Sequence, residues 1–300
     1  MPGFYDVPLV LTDGGIETRI MYEFARELPD FAACTLLDDA AGRDILTNIY
    51  RSYLDVAQRF KVPIQLGTPT WRASAHWISN VERANRDAVA LLRHVAKDAS
   101  VPVSIAGVLG PSHDGYAATG ALAEDAGYQY HTEQANVLAE AGVDTLYAPT
   151  FPAVGELHGA ARAMAETTKP FALAPMLQPD GTLMDGTPLA VAIERIDADG
   201  RSRPWHYMLG CLYPTHAQTA LESLFRAAPQ HAHRVIGLKA NASPLSPTQL
   251  NSAGAVEEQS PGTFASDMRA CADRFGLHVL GGCCGTNAEH IAAIAAAFRA

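Results

Sequence analysis

Short apolar runs alternate along the chain with longer stretches in which apolar residues return every three or four positions. The short runs are Pro8–Thr12, Val62–Leu66, Val101–Val108, Thr145–Ala148, Pro170–Pro175, Tyr207–Cys211, Arg234–Leu238 and His278–Leu280. Runs of this kind predict strands buried on both faces of a sheet. The intervening stretches predict helices. Ile45, Ile49, Leu54 and Val56 punctuate one, and Val89, Leu92 and Val95 another. Further helical patterns run about Ala121–Ala141, Val154–Ala165, Leu189–Ile196, His216–Ala228, Phe264–Phe275 and Ala288–Phe298. Eight strands alternating with eight helices predict a parallel α/β sheet. At 300 residues its natural closed form is a (β/α)8 TIM barrel, here expected as one domain over residues 1–300. An open doubly wound sheet would be favoured by Gly-x-Gly-x-x-Gly after the first strand, which is absent. Gly181–Thr187 and Ser243–Gly262, the latter with Pro244, Pro247 and Pro261, are expected as long loops after the fifth and seventh strands. Such loops belong on the C-terminal face of a barrel, where active sites are built.

Composition narrows the function classes. The chain is 48% hydrophobic and 18% charged, ordinary for a globular enzyme with a large core. A net charge of −10 argues against nucleic acid as the main partner, because phosphate binding wants a basic surface. No apolar stretch reaches the roughly 18 residues of a membrane span. The opening Met1-Pro2-Gly3-Phe4-Tyr5-Asp6 has no basic segment followed by an apolar one. Five cysteines, an odd and sparse set, fit a reducing compartment, so a cytoplasmic protein is expected.

Three of those cysteines carry candidate chemistry. Cys283 and Cys284 follow an apolar run and sit between glycines, in Gly281-Gly282-Cys283-Cys284-Gly285-Thr286. Cys211, 72 positions earlier, also ends an apolar run and follows Gly210. Taken singly they read as small buried hydrophobes, and the adjacent pair also as a strained disulfide. In a barrel all three reach the same rim from neighbouring strands, the sixth and eighth. Three thiolates then suit Zn²⁺ with one coordination position left for a substrate. The glycines at 210, 281, 282 and 285 are expected to allow the close approach. Cys34 and Cys271 lie away from strand ends and are read as structural.

Gly281-Gly282-Cys283-Cys284-Gly285-Thr286 with Glu289-His290-Ile291, together with Gly210-Cys211-x-x-Pro214, resembles the homocysteine S-methyltransferase family. Leu11-Thr12-Asp13-Gly14-Gly15-Ile16-Glu17-Thr18 and Gly67-Thr68-Pro69-Thr70-Trp71-Arg72-Ala73-Ser74 resemble its first two strand ends. The resemblance covers essentially the whole chain. It implies Zn²⁺ held by Cys211, Cys283 and Cys284, and methyl transfer from a small onium donor, such as S-methylmethionine or betaine, to homocysteine sulfur. Asp13 is then a candidate for the substrate ammonium, and Gly14 and Gly15 offer backbone N–H groups to a carboxylate. Trp71 is the leading aromatic face for a cationic donor, ahead of Trp77, Tyr147 and Phe151. Glu17 and Thr18 are read as orienting the loop, with Asp114 and His113 as weaker ligands and His216 and His290 as helix starts.

The chain departs from the family in places. Pro149 occupies the position of a family glutamate that binds the amino group. Gly210 stands where Asn usually precedes the sixth-strand cysteine. Lys239-Ala240-Asn241-Ala242-Ser243 replaces a more typical stretch after the seventh strand. An acceptor thiol lacking the α-amine therefore stays open, as do a methyltransferase subunit served by a separate cobalamin protein and a non-catalytic thiol-binding homologue. Neither donor nor oligomeric state is legible.

Overall fold

Eight parallel strands close into a barrel in chain order in the computed structural model, which describes residues 3–245, 249 and 259–299. The strands are β1 (Val10–Thr12), β2 (Ile64–Gly67), β3 (Val103–Val108), β4 (Thr145–Phe151), β5 (Phe171–Pro175), β6 (His206–Gly210), β7 (Val235–Ala240) and β8 (Val279–Gly282). Closure comes from β1 pairing with β8, Val10 opposite Val279 and Leu11 opposite Leu280. All eight coincide with the predicted apolar runs, displaced by a few residues at their ends. Among the described residues no helix is long and apolar enough to cross a membrane.

Alternation along the strands sorts two cores. Outward residues such as Leu11, Ile64, Leu66, Ile105, Leu146 and Leu209 pack under the helices. Inward residues Val10, Ala106, Val108, Tyr147, Ala172, Ala174, Met208 and Val279 fill the barrel together with Phe4. The helices start on side-chain caps where the sequence offers them. Asp39 accepts from the Gly42 N–H at 2.7 Å to open Ala40–Phe60, and Asn287 forms a capping box with His290 to open Ala288–Ala297. The first of these helices also ties down two strand ends. Tyr50 donates to the Gly67 carbonyl at 2.8 Å and Tyr53 to the Gly15 carbonyl at 2.7 Å.

Three details differ from the sequence expectation. A short helix, Glu17–Tyr22, follows the first strand end. β4 continues past Ala148 through Pro149 to Phe151, because a bulge at Pro149–Phe151 removes the need for a proline N–H. Pro261 and Gly262 belong to the helix Pro261–Phe275, where proline at the first position needs no donor. Pro247 and most of the expected loop around it lie outside the described residues. The Gly181–Thr187 loop is seen as a folded-back turn, with bridges Leu177–Leu183 and Thr182–Pro188.

Candidate active site

Cys211 follows β6, and Cys283 and Cys284 follow β8, so the barrel carries all three thiols to its C-terminal rim. Their sulfurs lie within 4.8 Å of one another, an arrangement able to hold a metal ion. Cys211 takes a left-handed backbone, φ 54°, while its N–H donates to the Lys239 carbonyl at 2.8 Å. For a non-glycine residue that costs about 1–3 kcal/mol. Thr150, at φ 61°, bears the same kind of strain and lines the same cavity. Gly281 and Gly282 are sterically required, since a Cβ on either would overlap the Thr12 or Thr286 hydroxyl. Gly210 is not: a Cβ there would meet Ala174 at an ordinary 3.5 Å.

Neutral donors surround the sulfur of Cys211. The Tyr116 hydroxyl is 3.1 Å away and the Asn241 amide donates at 3.3 Å; Tyr116 also lies 3.8 Å from Cys284. Hydrogen bonding from the neighbouring Cys283 and Cys284 thiols, joined by Tyr116, pulls the Cys211 thiol well below its usual pKa. That bonding to Cys211, with burial, pushes Cys283 and Cys284 up instead. The first proton leaves readily and the others do not. Such a set reaches full ionisation only around a cation, and sulfur donors select a soft one.

The thiols form one wall of a cavity of about 390 Å³. Asp13, Gly14, Gly15, Glu17, Lys239 and Asn241 also line it. Asp13 is buried; one carboxylate oxygen accepts the Gly67 N–H at 2.6 Å and the other is ion-paired with Lys239. Gly15 donates its N–H to Thr286, which leaves the Gly14 N–H as the open donor of that pair among the described residues. Burial pushes the Glu17 carboxyl up to about 7; the nearby charges of Asp13 and Cys211 add to this and Lys239 opposes it.

The family model for homocysteine S-methyltransferase matches residues 10–298. The chain belongs to that family. A curated relative, homocysteine S-methyltransferase YbgG of Bacillus subtilis, is 28% identical over 188 residues, which is 59% of this chain and 53% of YbgG. The chain thus matches about half the length of that relative. Its fold is similar to crystal structures of the homocysteine methyltransferase MmuM from Escherichia coli. The oxidized form superimposes with a TM-score of 0.77 and the metallated form with 0.75, each at 18% identity over 97% of this chain and 96% of MmuM.

Within this family member the aromatic candidates separate. Trp71 lines the cavity and donates its indole N–H to Thr150 at 2.9 Å. The Arg72 guanidinium sits 3.9 Å from the Trp71 ring centre and 3.8 Å from that of Trp77, so a cation already covers one face of Trp71. Tyr147 lines the cavity with a buried hydroxyl that has no hydrogen-bond partner among the described residues. Phe151 packs 5.2 Å from His131, in the core under the helices. Asp114 reaches the cavity, whereas His113 turns to Ser112 at 2.9 Å. Cys34 and Cys271 are buried away from the thiol cluster, as expected.

Sequence reasoning missed Tyr116, the side chains of Lys239 and Asn241, and the exposed aromatics Tyr22 and Phe31, all of which line the cavity. Lys239 and Asn241 stood out only as a departure from the family pattern. Tyr116 sits in the β3–β4 connection with no spacing signal. Buried Glu156 holds that connection. It accepts the Ser112 N–H at 2.7 Å and the Leu122 N–H at 3.0 Å, and meets His131 at 3.0 Å. Burial works to raise its pKa, but these bonds outweigh burial and hold the carboxyl below its usual range.

Proposed function

We propose that this protein transfers a methyl group from a small sulfonium or quaternary ammonium donor to the thiol of homocysteine, giving methionine. Cys211, Cys283 and Cys284 would hold a catalytic Zn²⁺, and the observation that carries this reading is their convergence on the wall of one cavity. Bound there, Zn²⁺ would lower the pKa of an incoming thiol from about 8.5 and leave its sulfur nucleophilic.

The remaining work falls to the chain. Tyr116 and Asn241 donate to the Cys211 sulfur and spread its charge. The cavity walls hold acceptor and donor in line and keep competing water out. Tyr22 and Phe31 offer aromatic surface to the cationic donor, as does the face of Trp71 turned away from Arg72. As the new S–CH₃ bond forms, the bond from the same methyl to the donor heteroatom breaks. The donor departs as a neutral thioether or amine, so no protein acid is needed to protonate it.

The test is incubation of zinc-loaded protein with homocysteine and S-methylmethionine or betaine, with methionine quantified and no second protein present. About one zinc per chain and methionine formation are expected. Full zinc content without methyl transfer from any onium donor would sink the reading, and transfer only with an added cobalamin protein would replace it. One observation favours a second acceptor class: Lys239 already neutralises Asp13. A thiol lacking the α-amine would leave that pair undisturbed.

A further inference from the structure

Homocysteine carries an ammonium into a buried cavity, where an unpaired charge is costly. Among the described residues three acids line the cavity: Asp13, Glu17 and Asp114. Asp13 is engaged on both oxygens, by the Gly67 N–H and by Lys239. Asp114 accepts the Tyr116 N–H at 2.8 Å, closing its own turn, and its charge faces Arg72. Glu17 differs from both. Among the described residues its own backbone N–H is its only hydrogen-bond donor, and it makes no ion pair. It lines the cavity with Cys211 and Cys284 and adds its charge to the electrostatic surroundings of both sulfurs. The short helix Glu17–Tyr22 fixes it there as the first helical residue, directly behind the turn at Gly14 and Gly15. We infer that Glu17 receives the α-ammonium of the acceptor thiol and is the residue that makes the site select an amino acid. This rests on the reading that homocysteine is the acceptor.

Lys239 supports the assignment. Its ammonium neutralises Asp13, so an incoming cation gains little there, and Glu17, which Lys239 acts on without pairing, is left as the acid that an incoming ammonium would meet and ionise. Glu17 therefore acts by direct contact with substrate rather than through the thiol cluster, and its removal should leave metal binding intact.

The test compares wild type, Glu17→Gln and Glu17→Asp, each zinc-loaded and checked for metal content and circular dichroism. Two thiols are used, homocysteine and its des-amino analogue 4-mercaptobutyrate, and kcat/KM and equilibrium affinity are measured for each. Glu17→Gln should lower kcat/KM and affinity for homocysteine by about 30- to 100-fold and change those for the des-amino thiol by less than about threefold. Glu17→Asp, which keeps the charge on a shorter arm, should lose less than Gln. Equal losses for both thiols would make Glu17 a structural residue and overturn the assignment. So would unchanged selectivity in Glu17→Gln with a wild type that still methylates homocysteine, while the homocysteine reading survives. A wild type that accepts the des-amino thiol but not homocysteine would overturn both.

Discussion

The two mouths of the barrel are made from the same eight strands and have opposite physical characters. At the N-terminal mouth, Phe4 and Tyr5 plug the barrel. Tyr5 accepts a hydrogen bond from Gln65 at 2.7 Å and meets Trp205 and His206 edge-on at 6.0 and 5.1 Å. Buried His206 is held neutral there, its pKa pushed down to about 3, chiefly by burial. At the C-terminal mouth the packing stops. A cavity opens, three non-glycine residues, Phe31, Thr150 and Cys211, sit in left-handed backbone, and Glu17, Lys239 and three thiols are brought together. One end is organised for burial, and the other keeps strain and reactive groups that burial alone would not select. Variants at the thiol mouth should therefore remove chemistry with little loss of fold, and variants at the plugged mouth should do the reverse.

The largest effect is expected at the thiols. Cys283→Ser should lose zinc and reduce methyl transfer by at least about 10³-fold, since two thiolates hold the metal poorly. The urea midpoint of the metal-free protein should be nearly unchanged. A large fall in that midpoint would break the contrast by making the thiols part of the folding core.

The plugged mouth should answer to acid. In the folded protein His206 stays neutral down to about pH 3, while the unfolded chain takes up the proton near 6.5. Its contribution is fully present above pH 6.5 and is lost as pH falls toward 3. Between pH 7 and 5 this amounts to about 2 kcal/mol. His206→Asn should flatten the acid limb of stability measured by urea unfolding at both pH values. An acid limb as steep as wild type would remove His206 as its source.

Trp71→Phe sharpens the contrast within the thiol mouth. With Arg72 on one face, the donor-facing side should contribute toward the low end of a cation–π interaction, about 0.5–1 kcal/mol. The donor KM should then rise about two- to fivefold, with the thiol KM unchanged. Unaltered donor kinetics would assign Trp71 to holding Thr150 and Arg72. The smallest effect is expected at Cys271→Ala, which should keep full zinc and lose about 1 kcal/mol of stability from a small cavity.

The two mouths also differ in how far the sequence reveals them. Strands such as Ile64–Gly67 and Val279–Gly282 were legible because a strand buried on both faces must be a continuous apolar run. The thiol cluster was legible because strand order alone brings residues 211 and 283 to one rim. The charge arrangement was not. Lys239 and Asp13 are 226 residues apart, and nothing near either one announces the pairing. Glu17 reads in the sequence only as a loop residue, because its helix spans six residues, too few for a periodic signal. Tyr116 lies in a connection whose path is set by Glu156, a residue of a later helix.

That path has a consequence for how such a protein diversifies. Glu156 ties the chain at Ser112 and again at Leu122, so the nine residues between are an excursion with both ends anchored from outside. Changes in their length or composition need not propagate into β3 or into the helix Glu124–Glu140. The excursion carries Tyr116 over the sulfurs, and so works as an exchangeable cassette. A graft between the two anchored amides would redraw the roof of the thiol chamber and leave its foundations as they are.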